Sequence, residues 1–268
     1  SSRNKLIRAF IFARSLFNAF LLRLSPARRI FYLFALLIFL IGYINHINSY
    51  TIFAFILLNA LLAFELADKL LTKDELEVAR KIQAELMPKT PPKINKYRVT
   101  AYYESVKEVG GDYFDIMESD VNKEQTFLFI GDISGKGMPA ALYMVRVQAI
   151  LTSIIKESTD LKSILINLKN SFGKKLLPKY FLTLAAASIN ADGSVDICRA
   201  GHVPVIYFSA KENSIFHINP KGIGIGLKDN GIFERVLEVV NIKPEKDDIL
   251  FFYTDGITEM MNENKQLF

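Results

Sequence analysis

Aspartates flanked by glycine at the ends of apolar runs are the residues of this chain best suited to chemistry. Gly131-Asp132-Ile133-Ser134-Gly135-Lys136-Gly137 follows the run Thr126 to Ile130, and Thr254-Asp255-Gly256 follows Ile249 to Tyr253. Each run reads as a buried strand, so each carboxylate emerges at a sheet rim. Carboxylate oxygens are hard ligands suited to Mg²⁺ or Mn²⁺, and neighbouring glycines let the backbone turn sharply beside an ion. A third acidic segment, Val109-Gly110-Gly111-Asp112-Tyr113-Phe114-Asp115, adds Asp112 and Asp115 beside a double glycine. Singly, each segment reads as a turn. Together they read as parts of one metal site.

Other chemistries are poorly supported. Cys198-Arg199 lacks the spacing of a phosphate-cradling cysteine loop, and Cys198 reads as a buried strand residue. His46 and His217 offer no ligand cluster, and His202 reads as structural rather than as a proton donor. Lys136 sits in Ser-Gly-Lys-Gly without the preceding spacing of a nucleotide-binding loop, although it could help attract a phosphate. Asp247-Asp248 reads as the turn that leads into the last strand.

The elements that must position these residues follow from period. Strands are predicted at Arg98–Ser105, Gln125–Ile130, Phe181–Ile189, Val195–Arg199, Val205–Phe208, Ser214–Ile218, Phe233–Val240 and Ile249–Tyr253, with helices at Pro139–Glu157 and Leu161–Leu177. Ala191-Asp192-Gly193-Ser194 marks a hairpin turn. Many strands with two adjacent helices imply an α+β layered sheet fold and exclude a Rossmann-type alternation.

Upstream lies a different kind of sequence. No charged side chain occurs from Ile30 to Phe64. As one helix this stretch would be about 52 Å long against a hydrocarbon core of about 30 Å. The polar cluster Asn45-His46-Ile47-Asn48-Ser49 divides it, so a transmembrane helical hairpin is preferred over one kinked helix. Seven Lys/Arg and no acid precede Ile30, and Lys69 and Lys73 follow, which places both ends on the cytoplasmic side. Leu6, Phe10, Ala13, Phe17, Phe20, Leu21 and Leu24 share a helical face opposite basic residues. That face suits anionic membrane lipid, or equally the cytoplasmic end of a longer membrane domain. Asp68 to Met87 is a charged linker helix with the stripe Leu76, Ala79, Ile82 and Leu86, ended by Pro88. It could pair with a second copy as a homodimer or cover the downstream core. The expected division is therefore 1–29, a basic amphipathic juxtamembrane helix; 30–67, the hairpin; 68–88, the linker helix; and 89–268, the domain with the acidic turns. After Leu66, 26 Lys/Arg stand against 27 Asp/Glu, so the basic balance belongs to the N-terminal arm and implies no nucleic acid. The single cysteine excludes an internal disulfide.

Taken in order, GGDYFD, GDISGKG and YTDG resemble the PPM-type metal-dependent serine/threonine phosphatases, specifically the SpoIIE/RsbU branch. The likeness extends to Glu77-Val78-Ala79-Arg80-Lys81-Ile82-Gln83, Leu86-Met87-Pro88, Phe181-Leu182-Thr183-Leu184 and Ala200-Gly201-His202, and spans Leu76 to the C-terminus. The resemblance implies a sandwich of two β-sheets flanked by helices, with two Mn²⁺ or Mg²⁺ ions at one end. It aligns Asp132 with the aspartate that bridges both ions, the Ile133 carbonyl with a backbone ligand, Asp112 with an acidic residue at the metal water, and Asp255 with a further ligand. Asp112, Asp132 and Asp255 are thereby the catalytic candidates, and Asp115 has no assigned role. Paired ions suit in-line displacement at phosphorus by activated water, without a phospho-enzyme.

Two departures stand out. The family's terminal metal-binding aspartate, in an Asp-Asp-hydrophobic-Thr segment, does not occur before Phe268, so the sequence is expected to continue. Gly222 to Leu227 also lacks the family's usual proline turn. The expected activity is a membrane-anchored phosphatase acting on phosphoserine or phosphothreonine of a cytoplasmic regulatory protein, a STAS-type anti-sigma-factor antagonist being the analogy. The expected location is the cytoplasmic membrane with the catalytic domain in the cytoplasm. The rival reading is a catalytically incomplete, membrane-tethered module that binds a phosphoprotein.

Overall fold

The computed structural model describes residues 2–88, 94, 96–104, 109–173, 176–262 and 266–267. The chain divides into two compact units, Ser1–Glu75 and Leu76–Phe268.

In the first unit, α1 (Ser2–Arg23) is followed by α2 (Pro26–Ile44) and by α3 (Asn48–Leu86), whose last residues belong to the second unit. Ser25 caps α2 by accepting from the Arg28 amide at 3.4 Å, and Pro26 fills the first turn, where no amide donor is needed. Asn45 ends α2 by donating from its side chain to the Ile41 carbonyl at 2.8 Å. The chain then reverses. Arg28, near the start of α2, pairs with Glu65 at 3.0 Å and Asp68 at 2.5 Å on α3, so the two helices run antiparallel. Near the turn, a Cβ on Gly42 would stand 2.8 Å from the Thr51 amide nitrogen, so this position has room for hydrogen alone. Both helices are long and apolar enough to cross a membrane, and most of their apolar side chains are exposed.

The second unit holds two antiparallel sheets. The strands are β1 (Asp112–Glu118), β2 (Thr126–Ile133), β3 (Leu182–Ile189), β4 (Val195–Ala200), β5 (Val205–Ser209), β6 (Ser214–Ile218), β7 (Val239–Ile242) and β8 (Ile249–Phe251). The larger sheet has the order β1-β2-β3-β4-β7 and the smaller the order β6-β5-β8. Helices α4 (Met138–Ile154) and α5 (Leu161–Phe172) lie between β2 and β3 in the chain and pack on one face of the larger sheet. Alternation along the strands explains the layering. Phe127 and Phe129 of β2 join Met144, Val147 and Leu151 of α4 in one core. Leu128 and Ile130 turn the other way, into a second core with Ala185, Ile197, Val205 and Tyr207. A strand buried on both faces must read as a near-continuous apolar run, as Thr126 to Ile130 does. The fold is thus α+β, a two-sheet sandwich with helices against the larger sheet. Two short helices, α6 (Phe233–Val236) and α7 (Asp255–Thr258), complete the elements.

Several expected elements differ. Residues 98–104 form no strand, and Ser105 lies outside the described residues. Their half-buried Val99 and Tyr103 pack against the two cores without a ladder, so burial gives them an alternating pattern that strand pairing does not share. The strand is instead β1, which carries Asp112 and Asp115 and had read as a turn. The predicted strand Phe233–Val240 is divided into α6 and β7. Asp229 accepts from the amides of Gly231 and Phe233 and pairs with Lys169 at 2.7 Å, which fixes a helical turn where β-branched sequence alone favours extension. On α3, the expected stripe is rotated: Ile82 is 54% exposed, whereas Gln83 is 3% exposed. The α3 helix also runs without a break from the hairpin through the linker segment.

Candidate metal centre

Asp112 opens β1 and Asp132 lies one residue from the end of β2, and the antiparallel register makes them direct partners. Directly opposed residues project to the same face, with Cβ atoms about 5 Å apart. Asp132 shares the parity of Leu128 and Ile130, so it stands on the face that the larger sheet turns toward the smaller one. The smaller sheet contributes from the far side: β8 ends at Phe251, and Thr254 and Asp255 begin α7 just beyond it. Carboxylates from three distant stretches of chain thereby meet at one end of the sandwich.

Their proximity shifts their protonation. Burial pushes the Asp132 carboxyl up to about 7, with Asp112 and then Asp255 adding to the shift by repulsion. Asp112 is raised too, first by burial, while the nearby Thr254 hydroxyl pulls the other way. Glu259, one turn beyond Asp255, adds negative charge to both. The Oδ1 atom of Asp112 is buried and has no hydrogen-bond partner among the described residues. A buried carboxylate oxygen without a donor is costly unless a cation satisfies it.

Backbone shape adds to this. A Cβ on Gly111 would stand 2.5 Å from the Ile133 carbonyl oxygen and 2.8 Å from Asp132 Oδ1. The Gly111 carbonyl also accepts from the Ile133 amide at 3.2 Å. The glycine before Asp112 therefore leaves open the space into which an Asp132 oxygen and the Ile133 carbonyl project. Among the described residues no three His, Cys, Asp or Glu side chains already close to coordination distances. Asp255 and Glu259 are exposed, so the open side of the acidic group faces solvent.

Of the residues singled out in the sequence, Asp112, Asp132, Ile133 and Asp255 are brought together. Asp115 is not. It is 7% exposed and accepts from its neighbour's amide, Ile116 N at 2.8 Å, and from the Tyr113 hydroxyl at 3.2 Å. Cys198 is buried against the helices, and burial pushes its thiol up to about 12. Asp248 accepts from the Tyr207 hydroxyl at 2.5 Å and from the amides of Ala210 and Glu245, which ties the turn before β8. Sequence reasoning gave no role to Thr254, Glu259 or Gln83. Gln83 clamps the double glycine: its Nε2 donates to the Gly110 carbonyl at 2.7 Å and its Oε1 accepts from the Gly110 amide at 3.2 Å. A glutamine spaced four from Ala79 and three from Leu86 was the available signal.

The family model described as Stage II sporulation protein E (SpoIIE) matches residues 122–268, more than half of the chain. The chain belongs to the SpoIIE family. Asp132 and Asp255 lie within the matched SpoIIE segment, and Asp112 lies just before it. Phosphoserine phosphatase RsbU of Bacillus subtilis (strain 168) is 28% identical over 193 residues, covering 72% of this chain and 56% of that protein. Phosphoserine phosphatase RsbP of the same organism is 25% identical over 199 residues, covering 71% and 47%. The chain thus spans about half the length of the curated relatives it matches. Among solved structures, the SiaA-PP2C domain of Pseudomonas aeruginosa superposes with a TM-score of 0.56 at 16% identity, covering 75% of this chain and 79% of that one. That likeness shows the PP2C fold for this SpoIIE-family chain.

Proposed function

We propose that this SpoIIE-family chain is a membrane-anchored protein serine/threonine phosphatase that takes phosphate from a cytoplasmic regulatory protein. The observation that carries the reading is the register pair Asp112 and Asp132, with a buried donor-less oxygen on one and a carboxyl raised to about 7 on the other. Such a pair suits a divalent cation better than a proton. The residues present fit Mn²⁺ or Mg²⁺: Asp112, Asp132, the Ile133 carbonyl and Asp255 would hold it, and a pair of ions is the stoichiometry the family resemblance implies. When bound, the ions supply Lewis acidity that activates water and balances charge on the phosphoryl oxygens.

The chain's own residues do the rest. Thr254 lies near Asp112 and offsets part of the upward shift of its carboxyl, Gly111 keeps the backbone clear of Asp132, and exposed Asp255 and Glu259 leave the mouth open to a phosphoprotein. Exposed Lys136, four residues beyond Asp132, adds positive charge for an incoming phosphate. The names of RsbU and RsbP support phosphoserine as substrate, and a STAS-type protein is the class to try first. The apolar helices α2 and α3 support the anchor, the basic N-terminal arm supports a cytoplasmic catalytic domain, and exposed Leu71, Val78 and Ile82 on α3 support pairing with a second copy.

The test uses the full-length protein in detergent with Mn²⁺ and a serine-phosphorylated STAS protein. Phosphate release is expected, with a loss of about a hundredfold or more in Asp132→Asn. Undiminished Mn²⁺-dependent release by that variant would overturn the proposal. The exposure of Asp255 favours one rival, a module that binds phosphoprotein without hydrolysing it; retention of the phosphoprotein with no release of phosphate would select it.

A further inference from the structure

The imidazole of His202 lies between the strand opposite Asp132 and the turn that carries Asp255. It is 4% exposed, and both ring nitrogens are engaged. Nε2 lies 3.0 Å from the Tyr253 carbonyl oxygen, and Nδ1 lies 2.9 Å from the Thr183 hydroxyl. A carbonyl accepts only, so Nε2 must carry the proton; Nδ1 is then bare and accepts from Thr183. The main chain beneath is held as well, because the Arg199 guanidinium donates to the His202 carbonyl.

Each end of this bridge leads to the acidic centre. Thr183 is the register partner of Asp132 across β2 and β3. Tyr253 immediately precedes Thr254, and Asp255 follows; a Cβ on Gly256, the next residue, would stand 3.5 Å from the Thr254 hydroxyl and 3.9 Å from Asp112 Oδ2. Asp132 and Asp112 are themselves partners across β1 and β2. Asp132, Thr183, His202 and Tyr253 therefore form a continuous chain of contacts from the larger sheet to the turn that carries Asp255.

We infer that His202 is a positioning residue, a fixed Nε2-protonated imidazole that sets the Thr254-Asp255 turn against the Asp112-Asp132 pair and so tunes divalent-ion affinity. The inference rests on the metal-centre reading above but not on phosphatase turnover. Burial, helped by Arg199, holds the ring down to about 4, against the opposing influences of the Tyr253 carbonyl and Asp255, so it stays neutral near pH 7. A neutral ring keeps one donor and one acceptor, as the bridge requires. An imidazolium would present two donors and lose Thr183 as a donor to it. The alternation of donors and acceptors thus fixes one tautomer, as in the outer shells that orient metal ligands.

The test reads tautomer and ion binding in the 268-residue chain in detergent micelles. With three histidines in the chain, ¹⁵N imidazole shifts can be assigned by substituting His46 and His217 in turn. A single Nε2-protonated tautomer for His202 is expected. His202→Phe, which keeps a planar ring and loses both bonds, should weaken Mn²⁺ binding by calorimetry about tenfold, and His202→Gln, which can return a donor to Tyr253, should recover most of it. Thr183→Val leaves the imidazole in place and should weaken Mn²⁺ binding by a smaller factor, about threefold, which keeps the test open if His202→Phe does not fold. An Nδ1-protonated ring, or a folded His202→Phe chain that binds Mn²⁺ as tightly as the parent, would overturn the inference. A full-length protein that binds Mn²⁺ and shows the expected His202 tautomer yet releases no phosphate would overturn the proposed activity and leave the role of His202 standing.

Discussion

Protonation of one carboxyl gives the clearest residue-scale prediction. Burial and two neighbouring aspartates raise Asp132 from 3.8 to about 7. Between these values the folded, ion-free protein holds a proton that the unfolded chain has released, so stability should fall as pH rises from about 4 to about 7 and then level off. Thermal unfolding with a chelator at pH 5 and at pH 7.5 checks this, and Asp132→Asn should flatten the difference. Mn²⁺ should show the opposite trend, stabilising more as pH rises and the carboxyls ionise. A second prediction concerns Gly111. Alanine there meets the Ile133 carbonyl and Asp132 Oδ1, so Gly111→Ala should destabilise the fold by about 1–3 kcal/mol and weaken Mn²⁺ binding, read by denaturant titration and calorimetry. Much of this was legible in the sequence, because Asp132 and Asp255 each follow an apolar run and glycine marks the turn. By residue type and glycine context alone Asp115 stood level with Asp112, and only the family resemblance set Asp112 apart. The two differ by which side of β1 they occupy, and that depends on a ladder with β2 that local sequence does not encode.

Elements were legible where one period dominated. The runs behind β2, β3 and β4 are buried on two faces and gave continuous apolar stretches, and α5 followed from its apolar period; in the structure Asp160 caps it, accepting from the Ser163 amide at 2.8 Å. β1 was hidden because two aspartates and a double glycine outweigh its three buried positions Tyr113, Asp115 and Ile116 in any local reading. On α3, apolar residues on two faces obscured which side is buried, and the polar Gln83 turned out to be the inward one. Its amide satisfies both backbone groups of Gly110 from a helix 27 residues away in sequence. Gln83→Leu keeps the volume and strands that donor and acceptor, so it should destabilise the second unit by about 1–3 kcal/mol. Gln83→Glu keeps the acceptor and should lose less. Urea unfolding followed by tyrosine fluorescence would compare them, and equal stability of the leucine variant and the parent would count against the clamp.

At the scale of the molecule, a near-neutral domain is joined to an arm whose apolar helices have exposed side chains. Exposed apolar area of this kind is satisfied by lipid, and Arg28 with Glu65 and Asp68 closes the base of the hairpin. Expressed in bacteria, the chain should sediment with membranes, resist 1 M salt and alkaline carbonate, and be released by detergent. Release by salt alone would show surface attachment instead. The contrast between the uncharged stretch 30–64 and the charged sequence after it was readable from composition. The unbroken run of α3 across it was not, since both the apolar and the charged stretch are helical in period and nothing in the sequence interrupts them.

The strand order has a consequence for biogenesis. β1 to β4 lie side by side in the order of synthesis, so that ladder can zip while translation proceeds. Asp255, by contrast, follows β8, which is made after the seven other described strands. A ribosome-bound nascent chain therefore carries two acids of the trio without the third. An ion held by all three acids would therefore bind only after β8 has been made.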